Sequence, residues 1–440
     1  MEEVSEDVEM EESRDDDDEG GPPRVYVPGR QELEEGEELE CDETAYVMLH
    51  RFQTKYPCLS FDPLLDQLGD SRTTFPMACT LVAGTQADKP RDNSIVVMKL
   101  TNLQKLKQKP EKDEDKESSS SEEEEEDSDD EEANAAKPKL LSASIVHHGG
   151  INRIRAAKGM NQVCAAWNDQ GKVQMWNLTS SLNALENLTN KNRTTVLQEK
   201  PLFTFAGHQG EGFAMDWSKV SIGKFASGDV RKNIHVWRMM EGGTWAVDQK
   251  PLNAHKSSVE DLQWSPSEDD MLASCSSDKT IRLWDTRCAK TDACVCVVEK
   301  AHDSDVNVIS WNNVDSTLLL SGGDDNSLKV WDLKFISRGQ PVAHFKHHTG
   351  PITSVQWYVH DSTVFAASGE DNQVTIWDLA VEPDDEQEMV SDEKEKVQPQ
   401  LLFIHQGQEE IKEIQWHPQL PGVMISTALD GFNIFRTISV

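Results

Sequence analysis

His255, Ser274, Asp278 and Trp284 supply the residue types of a hydrolytic triad with an indole beside it. In such a triad the serine hydroxyl attacks, the histidine takes its proton and the carboxylate orients the imidazole. The same set recurs at the same offsets as His302, Ser321, Asp325 and Trp331, and partly as His348, Asp371 and Trp377. An active site occurs once, whereas a hydrogen-bond network that supports a repeated unit occurs in every unit. The expected role is therefore structural: aspartate to histidine, histidine to serine, serine to indole N–H, satisfying polar groups buried in each unit. At the offset of Asp278 two other units have Arg231 and Gly171, with Asp229 and Asp169 close by. The doublets His147-His148 and His347-His348 lack Cys or carboxylate neighbours at metal spacing. No P-loop, dinucleotide fingerprint or nucleophile elbow is present. The expectation is a protein without catalysis, cofactor or metal.

Tryptophan sets the period of the elements that hold these residues. Trp217, Trp264, Trp311 and Trp357 recur every 46–47 residues, each followed 20 residues later by Trp237, Trp284, Trp331 or Trp377. A last unit keeps Trp416 and ends on Phe435, and His208, His255, His302, His348 and His405 precede the pairs. An earlier unit runs from His148 to Trp176, with Ala156 at the first tryptophan position. Segments such as Ser274–Trp284 read as short strands joined by turns, Ile281 and Leu283 alternating with Arg282. A period in the forties closed by Trp284-Asp285, Trp331-Asp332 and Trp377-Asp378 resembles the WD-repeat signature. The implied fold is all-β, a seven-bladed WD-repeat β-propeller over residues 75–440, its degenerate first blade spanning Phe75 to Leu100. Cys58–Phe61 is expected to add the outer strand of the last blade and so latch the ring.

Charge is confined to four stretches. Residues 1–20, 31–43, 111–132 and 381–396 carry nets of −11, −8, −13 and −6, together −38 against −36 for the whole chain. The remainder is near-neutral, at +2. Such blocks read as solvated, disordered interaction tracts, here an N-terminal tail over 1–41 and loops after blades one and six. A third, less charged loop covers about 179–200. Acidic brushes on a neutral body fit a strongly basic protein partner and would repel duplex phosphate, so sequence-driven nucleic-acid binding is not expected. Glu122, Glu123, Glu124, Glu125, Glu126 and Asp127 form the densest brush. Beside it Ser119, Ser120, Ser121 and Ser128 each have an acid three residues on, the context of an acid-directed kinase. The eight cysteines include no CxxC pair, which suits a reducing compartment. No apolar leader or membrane-length segment is expected.

Residues 42–74 are expected to form a helix and a latch strand. Asp42 or Thr44 would cap a helix whose Ala45, Met48, Leu49, Phe52 and Tyr56 share an apolar face, ended by Pro57. Helix, CLSFD and degenerate blade together resemble the histone-binding region of the retinoblastoma-associated and chromatin-assembly WD proteins. In that family a histone helix inserts between the N-terminal helix and an acidic loop joining blades six and seven. The resemblance assigns client binding to Tyr46, Leu49, His50 and Gln53 on the helix and to Asp384, Asp385, Glu386 and Glu388 on the loop. That family's loop carries a proline pair, where this chain has Pro383 alone.

The acidic start, RVYVPGR (Arg24–Arg30), the Ser-Glu run and STALDGFNIFRTISV (Ser426–Val440) are similar to the glutamate-rich WD-repeat family over nearly the whole chain. This resemblance implies a nuclear and nucleolar protein, with the cytoplasm also open. It implies a chaperone of the third large-subunit ribosomal protein during assembly of the large subunit, with pre-ribosomal particles and histones as further partners. One other class stays open. Trp284-Asp285-Thr286-Arg287 matches the WDxR motif that docks some WD proteins onto the adaptor of cullin-4 ubiquitin ligases.

Overall fold

The computed structural model describes residues 41–106, 137–189, 192–382 and 398–440, all within a unit that begins at Glu40. Each repeat folds into an antiparallel sheet of strands a (innermost) to d (outermost). Around Trp264 and Trp284 these are Val259–Trp264, Met271–Ser276, Ile281–Asp285 and Cys294–Val298. Seven such sheets are present. The strands read as half-buried are buried on both faces, because blades stack: Arg282 is only 7 % exposed between Ile281 and Leu283. Trp217, Trp237, Trp264, Trp284, Trp331, Trp357 and Trp377 all lie buried, and losing one such ring costs about 3–5 kcal/mol.

The inner strands are stitched into a ring. The Asp62 carboxylate accepts the Ala156 N–H at 2.8 Å, and Arg153 Nε donates to the Phe213 carbonyl at 3.0 Å. The chain of contacts continues from Asp216 to Trp264 N–H (2.8 Å), Asp261 to Ile309 (3.1 Å), Ser310 to Trp357 (3.1 Å) and Ser354 to Ile414 (3.3 Å). Glu413 closes the circle by accepting the Phe61 N–H at 2.9 Å. Burying Glu413 (2 % exposed) is offset by Arg153 at 3.0 Å and by Arg155, which hold its carboxyl below the usual range against desolvation.

Two expectations about the chain start are corrected. Tyr46–Phe52 is a strand, preceded only by a 3-10 turn at Glu43–Ala45 that Asp42 caps. It pairs antiparallel with Gly431–Thr437 and supplies strand d of blade seven. Cys58–Leu64, expected there, is instead strand a of blade one, followed by Met77–Thr85, Ser94–Leu103 and Lys139–Val146. Blade one thus starts at Cys58 rather than Phe75. The helical reading failed because Met48 and Phe52, four apart, satisfy a period of 3.6 and a period of 2 equally. Gly431 permits the close pairing: its φ is +124°, and a Cβ there would lie 2.3 Å from the Phe52 carbonyl oxygen.

The insertions also occupy a different place from that expected. None separates two blades; each joins strands c and d of one blade. Residues 104–138 do so in blade one, 178–202 in blade two and 379–400 in blade six. The blade-two insertion forms the helix Thr179–Glu186 and a strand, Thr194–Leu197, that pairs parallel to Lys139–Val146 of blade one. No helix among the described residues is long and apolar enough to cross a membrane.

Candidate functional site

The triad-like residues are interior supports. His255 Nδ1 lies 3.0 Å from Asp278 and Nε2 2.7 Å from Ser274 Oγ, which accepts Trp284 Nε1–H at 2.8 Å. His302, Asp325, Ser321 and Trp331 repeat this at 2.8, 2.7 and 2.9 Å. Both imidazoles are wholly buried, so no substrate reaches them. Burial pushes the two histidines down, while hydrogen bonds from those histidines hold Asp278 and Asp325 low against desolvation. Blade three is complete where sequence spacing failed: Asp229, two residues before Arg231, bonds His208 at 3.0 Å. In blade six Thr375 takes the serine's place, 2.9 Å from His348 and 2.8 Å from Trp377. Blade two has lost the network. Its counterpart histidine is His147 rather than His148, Ala166 stands at the serine position, and Trp176 Nε1 has no partner among the described residues.

The expected client groove lies at the outer edge of blade seven, and its residues divide. Tyr46 is 8 % exposed, and its hydroxyl meets His405 Nδ1 at 2.8 Å, so it is an internal latch rather than a contact surface. Leu49 is half-buried in the cluster that holds Ala45, Leu106, Leu402 and Phe403. His50 Nε2 lies 2.9 Å from the Gln104 carbonyl, and burial lowers its pKa. Gln53 is exposed beyond the strand. Asp384, Asp385, Glu386 and Glu388 lie outside the described residues, as do Ser119, Ser120, Ser121, Ser128 and the brush Glu122–Asp127.

What sequence reasoning missed is where the acidic tracts leave the propeller. Tyr46 pairs with Thr437, at the end of strand c, so the N-terminal tract joins blade seven on its c–d face. The 111–132 and 381–396 tracts are c–d connections of blades one and six. These are three consecutive blades of the ring, and the connections issue from one face. Their described ends also touch. Leu106 N–H donates to the Val47 carbonyl at 3.0 Å, and Leu106 packs with Leu49, Leu402 and Phe403. Half-buried aliphatic side chains therefore sit where all four acidic stretches are rooted.

The WDxR segment ends strand c of blade four on this same face. Trp284 is buried, while Arg287 is 67 % exposed and grips Asp285 through Nε at 2.9 Å and Nη2 at 2.7 Å. That pairing holds Asp285 down to about 2. Thr286 binds Asp270 at 3.0 Å, and Lys224 of blade three reaches Asp270 at 2.7 Å.

The geometry agrees with relatives of the chain. The WD domain, G-beta repeat, family model matches residues 247–285, 293–332 and 339–378. Glutamate-rich WD repeat-containing protein 1 of Dictyostelium discoideum is 49 % identical over 421 residues, covering 95 % of this chain and 85 % of the relative. The chain belongs to the glutamate-rich WD-repeat family. Other relatives include the protein heat stress tolerant DWD 1 of Arabidopsis thaliana, 45 % identical over 95 % of this chain and 92 % of its own. Ribosome assembly protein rrb1 of Schizosaccharomyces pombe is 37 % identical over 94 % and 84 %. A family model for the histone-binding protein RBBP4 and its counterpart in the CAF1 complex matches residues 36–104. In this member of the glutamate-rich WD-repeat family, that region comprises strand d of blade seven and strands a to c of blade one. It ends at Gln104, which touches His50.

Proposed function

We propose that this chain is a non-enzymatic assembly chaperone that sheathes a basic client, a large-subunit ribosomal protein and specifically the third, during nucleolar ribosome assembly. The observation that carries this reading is the common root of the acidic tracts. A net charge of −38 distributed over four stretches is rooted on one face of blades six, seven and one, around half-buried Leu49, Leu106, Leu402 and Phe403. An amphipathic segment rich in lysine and arginine complements both features. Its apolar side covers the aliphatic cluster while the carboxylates neutralise its charge, which shields it from RNA. The ribosome-assembly relative supports the choice of client. Histones are the second client class, favoured by the histone-binding family match over 36–104. Affinity purification at physiological salt, with mass spectrometry of the basic proteins recovered, tests the reading. The wild type is expected to retain the ribosomal protein, and neutralising the acids of 381–396 to release it. Recovery of neither a ribosomal protein nor a histone would overturn it.

The exposed guanidinium of Arg287 favours a further role as receptor for a cullin-4 ligase. Arg287→Ala would then lose the adaptor while keeping the basic client. Equal adaptor recovery by both proteins would exclude that role.

A further inference from the structure

On the opposite face, which carries the b–c hairpin turns, a cavity of about 370 Å³ opens at the seam where blade seven meets blade one. One wall is the crossover from strand d of blade seven to strand a of blade one, at Tyr56 and Pro57. The others are the b–c turn of blade one at Asp88, the approach to blade seven at Glu410 and Lys412, and the blade-seven hairpin at Leu429.

Two features of this cavity lack a folding rationale. Leu429 is 49 % exposed at a hairpin tip where blades four, five and six have Ser277, Asp324 and Glu370. An exposed leucine at a turn tip adds nothing to the blade core, yet here it lines a cavity beside an aromatic ring. Glu410 is held at φ +52°, the left-handed region that is costly for a side chain with a Cβ, while its N–H donates to Asn372 Oδ1 at 2.8 Å. Backbone strain of this kind persists where the surroundings fix it, often where a side chain must be aimed at a ligand. Its carboxylate meets Lys412 at 3.2 Å and stays 60 % exposed. Asp88 is exposed on the facing wall. Lys55 lies 4.9 Å from the Tyr56 ring centroid, so this ring already takes a cation.

We infer that this seam cleft docks an extended peptide in which an apolar side chain neighbours a lysine or arginine. Leu429 and Tyr56 take the apolar side chain, and Asp88 and Glu410 take the cation. The inference deepens the reading of a basic client but uses a surface on the other face from the acidic tracts.

The test measures fluorescence polarisation of two labelled peptides of equal charge on the full-length protein: an extended leucine–lysine peptide and an oligolysine. Leu429→Ser and Asp88→Asn both change exposed side chains, and thermal melts would verify that each variant is folded. Each is expected to weaken the leucine–lysine peptide by about fivefold or more, equivalent to about 1 kcal/mol. The oligolysine, held by the acidic brushes, should be unaffected. Neutralising the acids of 381–396 should do the reverse, so failure of the cleft and failure of the tract reading are separable. Less than about a twofold change for the leucine–lysine peptide in both cleft variants overturns the inference, as does an equal loss for oligolysine.

Discussion

The Tyr46 hydroxyl lies 2.8 Å from Nδ1 of His405, 359 residues away in the chain. The contact ties the first described strand to the outer strand of blade six. Asn433 Nδ2 meets the other imidazole nitrogen at 3.1 Å, and the ring of Phe435 stacks on it at 4.1 Å. Tyr46 also packs edge-on against Phe403 at 5.2 Å. The ring closure therefore rests on a buried polar contact as well as on strand pairing.

Tyr46→Phe keeps that aromatic packing and removes only the hydroxyl. It leaves a buried imidazole nitrogen unpaired, so a loss of about 1–3 kcal/mol is expected. Urea unfolding is the measurement. An unchanged midpoint would mean that the strand pairing alone closes the ring.

The blade supports predict opposite effects in different blades. His255→Ala or Asp278→Ala should cost about 1–3 kcal/mol while client affinity of the folded protein holds. Ala166→Ser should stabilise by about 1 kcal/mol, because Trp176 Nε1 gains the acceptor that Ser227, Ser274 and Ser321 provide elsewhere. A thermal melt of each variant decides. Destabilisation by Ala166→Ser would show that blade two packs differently around its tryptophan.

Stability should fall in mild acid. Burial holds His405 and His417 down to about 3 and about 4, and also depresses His208, His255 and His302. Unfolded imidazoles titrate near about 6.5, so below that pH the unfolded chain binds more protons. The stability these groups confer is present above about 6.5 and is lost as the pH falls through the folded values. Asp216 runs the other way. Burial raises it to about 6, so its contribution exists at low pH and disappears as the pH rises through that value. With five depressed histidines against it, the urea midpoint should be lower at pH 5.0 than at pH 7.5 (round values chosen across the window). An equal or higher midpoint at the acid value would contradict this.

Deleting residues 111–132 removes 13 net negative charges and no blade strand. Association with a basic client should slow and its salt dependence flatten, since the attraction is screened beyond about 8 Å at physiological salt. Stopped-flow mixing at low salt reads this directly. An unchanged association rate would reduce the tract to a spacer.

Neutralising Asp384, Asp385, Glu386 and Glu388 together should act on dissociation instead. A carboxylate that pairs a desolvated client arginine is worth about 2–5 kcal/mol, whereas an exposed pair is worth almost nothing. An off-rate within about twofold of wild type, about 0.4 kcal/mol, would move the client elsewhere.

The seven-bladed ring and its internal supports were legible in the sequence because they repeat. A tryptophan period and a fixed histidine offset report contacts made within one blade, between residues close in the chain. Even there, Asp229 and Thr375 show that the hydrogen-bond role can move by a few residues while the geometry is kept. Charge blocks were equally plain, since composition needs no structure to be read. The fate of Tyr46–Phe52 was not legible. Its apolar spacing suits helix and strand alike, and the choice was made by Gly431–Thr437, which lies at the far end of the chain and offers an unpaired strand edge. That pairing displaced Cys58–Leu64 into blade one, where Glu413 awaits the Phe61 N–H. It also set the N-terminal tract beside those of blades six and one. Only closure of the ring brings blade seven between blades six and one, so only the tertiary structure could root the acidic tracts together.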